Sequence, residues 1–341
     1  MNNPEKIFPF CPECGKKGPV QNDIIQTKFC ENKDCNVWFY WEQGCVHHNA
    51  NNEKTIWPNL FIVGAQKSGT TSIFHYLRKH PKIYMSSIKE PAYFSKYRGS
   101  MPFKHTKPTK EQYLELFQYV KNEPIICEVS TPYLFDPESA KKIYEIIPDA
   151  KIIIILRNPI ERSYSRYLEN RWNSDYSTFG DEIRKGLDKL KKEYNDPADN
   201  ILLCGLYYEQ VKRYLDLFGE KNVKIIIYEE MFPKNIKQKV KEILEFLEIK
   251  QLHDFEETNY FGYYTPRGEK LLTNSFVQKF AYTFVPENLR IFLYKKIRNK
   301  DNKKPQMNSE DKIFLKNFYL DDYKKLEKLL NRKLPWNFSN E

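Results

Sequence analysis

The sequence carries no long hydrophobic run. Its most apolar stretch, IIIIL at 152–156, is bracketed by Lys151 and Arg157, and the opening MNNPEKIFPFCPEC lacks the apolar region of a secretory signal. A bilayer crossing takes about 20 consecutive apolar residues. No transmembrane segment is therefore expected, and the chain reads as cytoplasmic. Internal repeats and long disordered tracts are also missing. The 40% hydrophobic and 29% charged content is that of a folded protein. At 341 residues the chain has room for one large domain, or for one domain with a small module attached.

Acidic charge is in short supply. The 55 Lys+Arg against 45 Asp+Glu leave a net +10, which favours anionic ligands: nucleotides, nucleic acid, acidic glycans or membrane surfaces. Residues 1–50 hold five Lys and six Asp+Glu, so the surplus lies wholly in the remainder.

Cysteine is concentrated at the front, with five of seven before residue 46. In a reducing compartment this points to metal ligation rather than a disulfide framework. Cys11-x2-Cys14 is followed after fifteen residues by Cys30-x4-Cys35. Two close pairs at this separation suit a four-cysteine zinc ribbon, in which a hairpin brings two turns together and four thiolates close a tetrahedron. A core this small could hardly fold without the metal. Cys45, His47 and His48 are possible substitute ligands, with the four-cysteine set preferred and both histidines read as linker residues. The polar NANNEK at 49–54 is turn-prone. The expected organisation is a zinc module over 1–48, a linker over 49–56 and one large domain over 57–341. Cys127 and Cys204 lie in apolar contexts and read as core.

From Trp57 onward, short apolar runs alternate with helical patterns. LFIVG (60–64), IICEV (125–129), KIIIIL (151–156) and VKIIIY (223–228) read as buried strands. Helices are expected from about Gly69, near 137–147, from Pro159, over 207–218 and through Ile236, Val240, Ile243 and Leu247. Residues 270–300 read as helical and basic. A last helix begins near Ser309 and ends before Pro335. Continuously apolar strands separated by helices argue for an α/β fold with a parallel sheet covered on both faces. Ligands of such sheets bind beyond the carboxyl ends of the strands, which makes 60–77 the expected phosphate site.

That segment, FIVGAQKSGTTSIFHYL, lacks the lysine of an ATPase loop. Gly64 and Gly69 keep the spacing, but Thr70 occupies the lysine position and Lys67 lies inside the loop. The acid that would help hold magnesium is missing too: IIIILRNP ends in Arg157 and Asn158. The amides of Ser68, Gly69, Thr70 and Thr71 open a helix and favour an anion. Arg157 adds positive charge suited to another phosphate. The site reads as one for two anionic groups without Mg2+.

These residues resemble the sulfotransferase family. GAQKSGTTSIFHYL is similar to its 5′-phosphosulfate loop and ILRNPIERSYSRY to its 3′-phosphate motif. KEPAYFSK (89–96), the stretch 128–159, YYTPRGEKL (263–271) and LEKLLNRKLPW follow in order. The likeness covers roughly 60–336 and is greatest to heparan-sulfate-type and related bacterial carbohydrate sulfotransferases. It implies the donor 3′-phosphoadenosine 5′-phosphosulfate and an acceptor hydroxyl or amine on a carbohydrate or other small or polymeric acceptor; no nucleic acid partner is expected, because the cysteine-rich front is near neutral and lacks an aromatic–basic cluster. It places Lys67 on the bridging oxygen and 5′-phosphate, among Ser68, Gly69, Thr70 and Thr71. Arg157 and Ser165 hold the 3′-phosphate, Arg267 and Gly268 close over it, and Glu90 is the catalytic base. Val129 stands where heparan-sulfate enzymes often have lysine, and the zinc module also departs from the animal enzymes.

Blander roles stand beside these. Glu90 can be a surface acid paired with Lys89, and Glu128 either assists substrate binding or is structural. Arg162 and Arg166 read as solvated helix charges, RKGLDKLKKEY (184–194) as an exposed helix face, and His75, His80, His105 and His253 as structural. A nucleotide-dependent kinase or NTPase, and a nucleic-acid-binding protein built on the zinc ribbon, are the alternative functions.

Overall fold

The computed structural model describes residues 55–97, 107–170, 178–192, 200–250 and 306–338, together with the backbone of 27–29, 38–40 and 45–47. The chain divides into two compact units, one of Met1–Leu156 with Tyr208–His253 and one of Arg157–Tyr207 with Asp254–Glu341.

The first unit holds two sheets. Strands β1 (Thr27–Phe29), β2 (Trp38–Tyr40) and β3 (Cys45–His47) pair antiparallel in sequence order. The larger sheet comprises β4 (Leu60–Gly64), β5 (Ile83–Met85), β6 (Ile125–Val129), β7 (Lys151–Leu156) and β8 (Val223–Ile227). All five strands are parallel, in the order β5-β6-β4-β7-β8. The central strands are continuously apolar because both faces are covered. Leu60, Phe61, Ile62 and Val63 of β4 and Ile152 to Leu156 of β7 are fully buried, each side chain contributing about 1.5–3 kcal/mol. β5, too short for a clear pattern, was not among the expected strands, and the fourth expected strand ends one residue early because Tyr228 opens a helix.

The flanking helices of this unit are α1 (Thr70–Leu77), α2 (Lys110–Glu115), α3 (Pro132–Phe135) and α4 (Ser139–Ile146). The second unit contributes α5 (Pro159–Asn170) and α6 (Phe179–Lys191). Further along run α7 (Tyr207–Phe218), α8 (Tyr228–Met231), α9 (Ile236–Phe246) and α10 (Ser309–Leu330). The periodic apolar residues do face the core: Ile73, Phe74 and Leu77 in α1, Ile236, Val240 and Ile243 in α9. Side chains cap several of these helices. Asn158 accepts from the Ile160 amide ahead of Pro159, and Thr109 and Thr178 form capping boxes.

The chain leaves β4 toward β5 on one side and leaves β6 toward β7 on the other, so the strand order reverses at the carboxyl end of β4. That is where open α/β sheets bind ligands.

Arg162 departs from its expected place. It is not a solvated helix charge; it is fully buried. Its guanidinium donates to Ser163 Oγ at 2.9 Å and to the Ile201 carbonyl, inside a shell that includes Cys204, Tyr207 and Tyr319. Ser163 Oγ also lies 3.0 Å from the Tyr319 hydroxyl. A helix covered on a second side by a distant segment buries residues that its own periodicity marks as outward. No helix among the described residues is long and apolar enough to cross a membrane.

Candidate active site

β4 delivers the chain into the phosphate-loop segment. Its register against β7 shifts between Ile62 and Gly64, and the Ala65 amide then donates to the Ile155 carbonyl at 2.7 Å. Two close approaches shape the loop. A Cβ on Gly64 would stand 2.6 Å from Leu134 Cβ, and one on Gly69 would stand 2.8 Å from the Phe232 ring. Gly69 also has φ +83 and caps α1, a conformation that glycine adopts without steric cost. Lys67 has φ 66, an uncommon state for a non-glycine residue that surrounding structure must hold.

α1 begins with no side-chain cap and no acid in its first turn. Ser68, just before it, is completely buried, and its hydroxyl has no hydrogen-bond partner. The Thr131 hydroxyl, two residues beyond β6 and directly ahead of α3, is likewise buried without a partner. Buried hydroxyls are rarely left unsatisfied. The one at Ser68, directly ahead of an uncapped helix start, fits an external anion. Lys67 is half-buried, Thr70 buried and Thr71 half-buried. Thr131 was not singled out from the sequence. The Ser-Thr pair after IICEV was its only local signal.

Glu90 stands on the loop after β5. It and Ala92 have φ 61 and φ 54, on either side of Pro91. Three bonds pin this loop to β6 and the turn beyond. The Glu90 amide donates to the Val129 carbonyl at 2.7 Å, the Ala92 amide to Ser130 Oγ at 3.0 Å, and the Phe94 amide to the Tyr133 hydroxyl at 3.3 Å. Further on, Ser95 Oγ and the Lys96 amide both donate to Asp136 Oδ2, at 2.6 and 2.7 Å. The Glu90 carboxylate takes Lys89 Nζ at 2.5 Å, with side chains 20% and 17% exposed respectively. The pairing with Lys89 is present, but on a half-buried acid rather than a surface one.

Glu128 is fully buried, which removes it from direct contact with an acceptor. Its Oε2 accepts from the hydroxyls of Tyr133 at 2.7 Å and Tyr113 at 3.1 Å. Oε1 has no partner of ordinary hydrogen-bond geometry, although Ser130 lies close enough to favour the ionised form. Burial pushes this carboxyl up to about 7; hydrogen bonds from Ser130, Tyr133 and Tyr113 pull it down, and the charge of Glu90 adds to the rise. Burial, aided by Arg78, Lys89 and Lys79, lowers the His75 imidazole to about 4, and His80 Nε2 lies 2.9 Å from the Lys250 carbonyl.

In the second unit, Arg157 follows β7 directly and is buried, its carbonyl accepting from the Tyr207 hydroxyl at 2.9 Å. Ser165 is buried on α5. Arg267 and Gly268 lie outside the described residues, as do Cys11, Cys14, Cys30 and Cys35, the basic segment 270–300, His48, His105 and His253. Among the described residues no group of three or more His, Cys, Asp or Glu could hold a metal ion.

A family model described as the sulfotransferase domain matches residues 58–327. The chain is 36% identical over 110 residues to the membrane-associated sulfotransferase kil1 of Dictyostelium discoideum, covering 32% of this chain and 22% of that protein. It is 26% identical over 322 residues to mouse bifunctional heparan sulfate N-deacetylase/N-sulfotransferase 4, covering 92% of this chain and 33% of the relative. It therefore spans about a third or less of the length of these two curated relatives. Among solved structures, a sulfotransferase from Alicyclobacillus acidocaldarius is 30% identical with a TM-score of 0.61, covering 82% of this chain and 98% of that one.

Proposed function

We infer the chemistry from one premise: this chain belongs to the sulfotransferase domain family. The reaction is transfer of a sulfuryl group from 3′-phosphoadenosine 5′-phosphosulfate to a hydroxyl or amine of an acceptor. The observation that carries this reading is the fully buried, partnerless Ser68 hydroxyl ahead of the uncapped start of α1. It suits a phosphate oxygen better than anything the folded chain supplies.

When bound, the donor supplies the activated sulfuryl group. Lys67, Ser68, Gly69, Thr70 and Thr71 surround its 5′-phosphosulfate end. By sequence likeness, Arg157 and Ser165 take the 3′-phosphate, and Arg267 with Gly268 closes over it. Glu90 accepts the acceptor's proton as its oxygen or nitrogen bonds to sulfur, which is typically worth about 10²–10⁴-fold. Lys67 meets the charge left on the phosphate oxygen as the old S–O bond breaks. The products are a sulfated acceptor and adenosine 3′,5′-bisphosphate. No Mg2+ is needed, because cationic side chains do the neutralising.

The acceptor is read as a carbohydrate, supported by the likeness to the heparan sulfate N-deacetylase/N-sulfotransferase. The domain carrying this chemistry is read as 57–341. A separate module over 1–48 is read as holding one structural Zn2+ through Cys11, Cys14, Cys30 and Cys35, joined to it by 49–56. Supporting the module, β1 and β2 pair antiparallel on either side of the sequence that contains Cys30 and Cys35.

The test is to supply the purified protein with radiolabelled donor and a panel of desulfated polysaccharides. Label recovered in a polysaccharide is the expected result. No transfer to any of them, together with no binding of adenosine 3′,5′-bisphosphate, would overturn the reading.

A further inference from the structure

Glu90 sits on a loop that cannot hold its own shape. Glu90 and Ala92 both have left-handed backbone, and Pro91 between them has no amide to donate. Such residues persist only where neighbours over-determine them. The neighbours are Val129, Ser130 and Tyr133, which accept from the amides of residues 90, 92 and 94 in turn. The last of these bonds depends on the direction of one hydroxyl. Tyr133 can accept from the Phe94 amide with good geometry only if its own proton points elsewhere, and that proton goes to Glu128 Oε2 at 2.7 Å. Tyr113 donates to the same oxygen. With two donors on Oε2, any proton the carboxyl carries belongs on Oε1.

We propose that Glu128 is a positioning residue for Glu90, orienting the Tyr133 hydroxyl and with it the loop on which the base is presented. This rests on the reading of Glu90 as proton acceptor. A glutamine here would keep an oxygen for both tyrosines and resemble the protonated acid. A leucine would keep the volume and leave both hydroxyls to turn. Charged and titratable groups around Glu128 are Glu90 with its partner Lys89 on the loop, Tyr113 on α2, Tyr133 on α3, Cys127 on β6 and Tyr214 on α7. Burial pushes the Glu128 carboxyl up to about 7.

The experiment compares E128Q, E128L and Y133F with wild type in three measurements. These are amide hydrogen exchange over residues 88–97, calorimetric affinity for adenosine 3′,5′-bisphosphate, and cleavage of the sulfate donor with water as acceptor across pH. In E128L and Y133F, exchange at residues 90, 92 and 94 should rise about tenfold or more. Donor cleavage should fall by about 10- to 100-fold, while bisphosphate affinity stays within about twofold. E128Q, which keeps an oxygen for both tyrosines, should keep wild-type exchange and affinity. If E128L does not fold, Y133F carries the test, since its ring and backbone contacts are untouched. Wild-type exchange at residues 90, 92 and 94 in Y133F would overturn the proposal. An E90Q protein that still cleaves donor would overturn the base assignment instead, and the exchange measurement would then decide the positioning alone.

Discussion

The amide of Glu90 donates to the carbonyl of Val129 at 2.7 Å, and Val129 is the residue of β6 that pairs with Ile62 of β4. Ile62 stands two residues before Gly64, where the phosphate loop begins, and its own carbonyl accepts from the Ser130 amide at 3.2 Å. The proposed base and the proposed phosphate cradle thus hang from the same rung of one sheet. A shift of β6 against β4 would displace both together.

Ser68→Ala should change stability and binding in opposite directions. The buried hydroxyl has no partner in the free protein, so its removal should stabilise the apo form or leave it unchanged. It should weaken adenosine 3′,5′-bisphosphate by about 1–3 kcal/mol, the cost of losing a hydrogen bond to a charged group. Thermal melts without ligand, set beside calorimetry with it, check both signs. A melt that drops along with the affinity would mean the hydroxyl is structural.

Glu90→Gln should abolish turnover while leaving bisphosphate affinity nearly unchanged, because the swap keeps shape and removes only the proton acceptor. Lys67→Ala should lower affinity and rate together, its charge acting on bound donor and departing phosphate alike. Calorimetry and product formation separate the two patterns. A Glu90→Gln protein with most of its activity would send the search for the base elsewhere.

Arg157→Ala should weaken adenosine 3′,5′-bisphosphate by about 2–4 kcal/mol, as expected for a buried charge-assisted contact. The wild-type affinity should be the same with EDTA as with magnesium. Adenosine 5′-monophosphate, lacking the 3′-phosphate, should bind much more weakly. Equal affinity for the two nucleotides would count against both Arg157 and Ser165.

Glu128 should make stability fall with rising pH. Its carboxyl is raised in the fold from 4.5 to about 7, so the native state holds the proton more tightly than the unfolded chain. The resulting stabilisation is full below about 4.5 and is lost as pH rises through about 7. Relative to wild type, Glu128→Gln should gain on the order of 3 kcal/mol across that window. Denaturant titrations at several pH values measure it. A difference independent of pH would show that the fold does not raise the Glu128 carboxyl.

Purified protein should contain about one zinc per chain if the four-cysteine assignment holds. Elemental analysis measures this directly. Metal-free protein with four freely titrating thiols in Cys11, Cys14, Cys30 and Cys35 would rule the zinc module out.

What the sequence made legible was local. Gly64 and Gly69 announce a tight loop, Pro159 announces a helix start, and the isoleucine run of β7 announces a strand buried on both faces. What it concealed depends on distant partners. Arg162 lies off the apolar stripe of α5, and only the return of Ile201 and Tyr319 against it makes the position an interior one. Glu128 reads as a strand-end acid until Tyr113 and Tyr133, from two separate helices, are seen to close over it. The left-handed backbone of Glu90 and Ala92 has no sequence mark at all, since neither residue is one that seeks it.

The strand order has a consequence for how the chain reaches this state. β4, first of its sheet in sequence, must wait for β6 and then β7 before both of its edges are covered. Leu60 meets Cys127 on one side and Lys151 on the other. Pairings this far apart close large loops before they return any stabilisation, which slows folding. A nascent chain that has not yet produced residues 151–156 therefore exposes an apolar, unpaired edge on its future central strand, and that interval is when association with other chains competes best with folding.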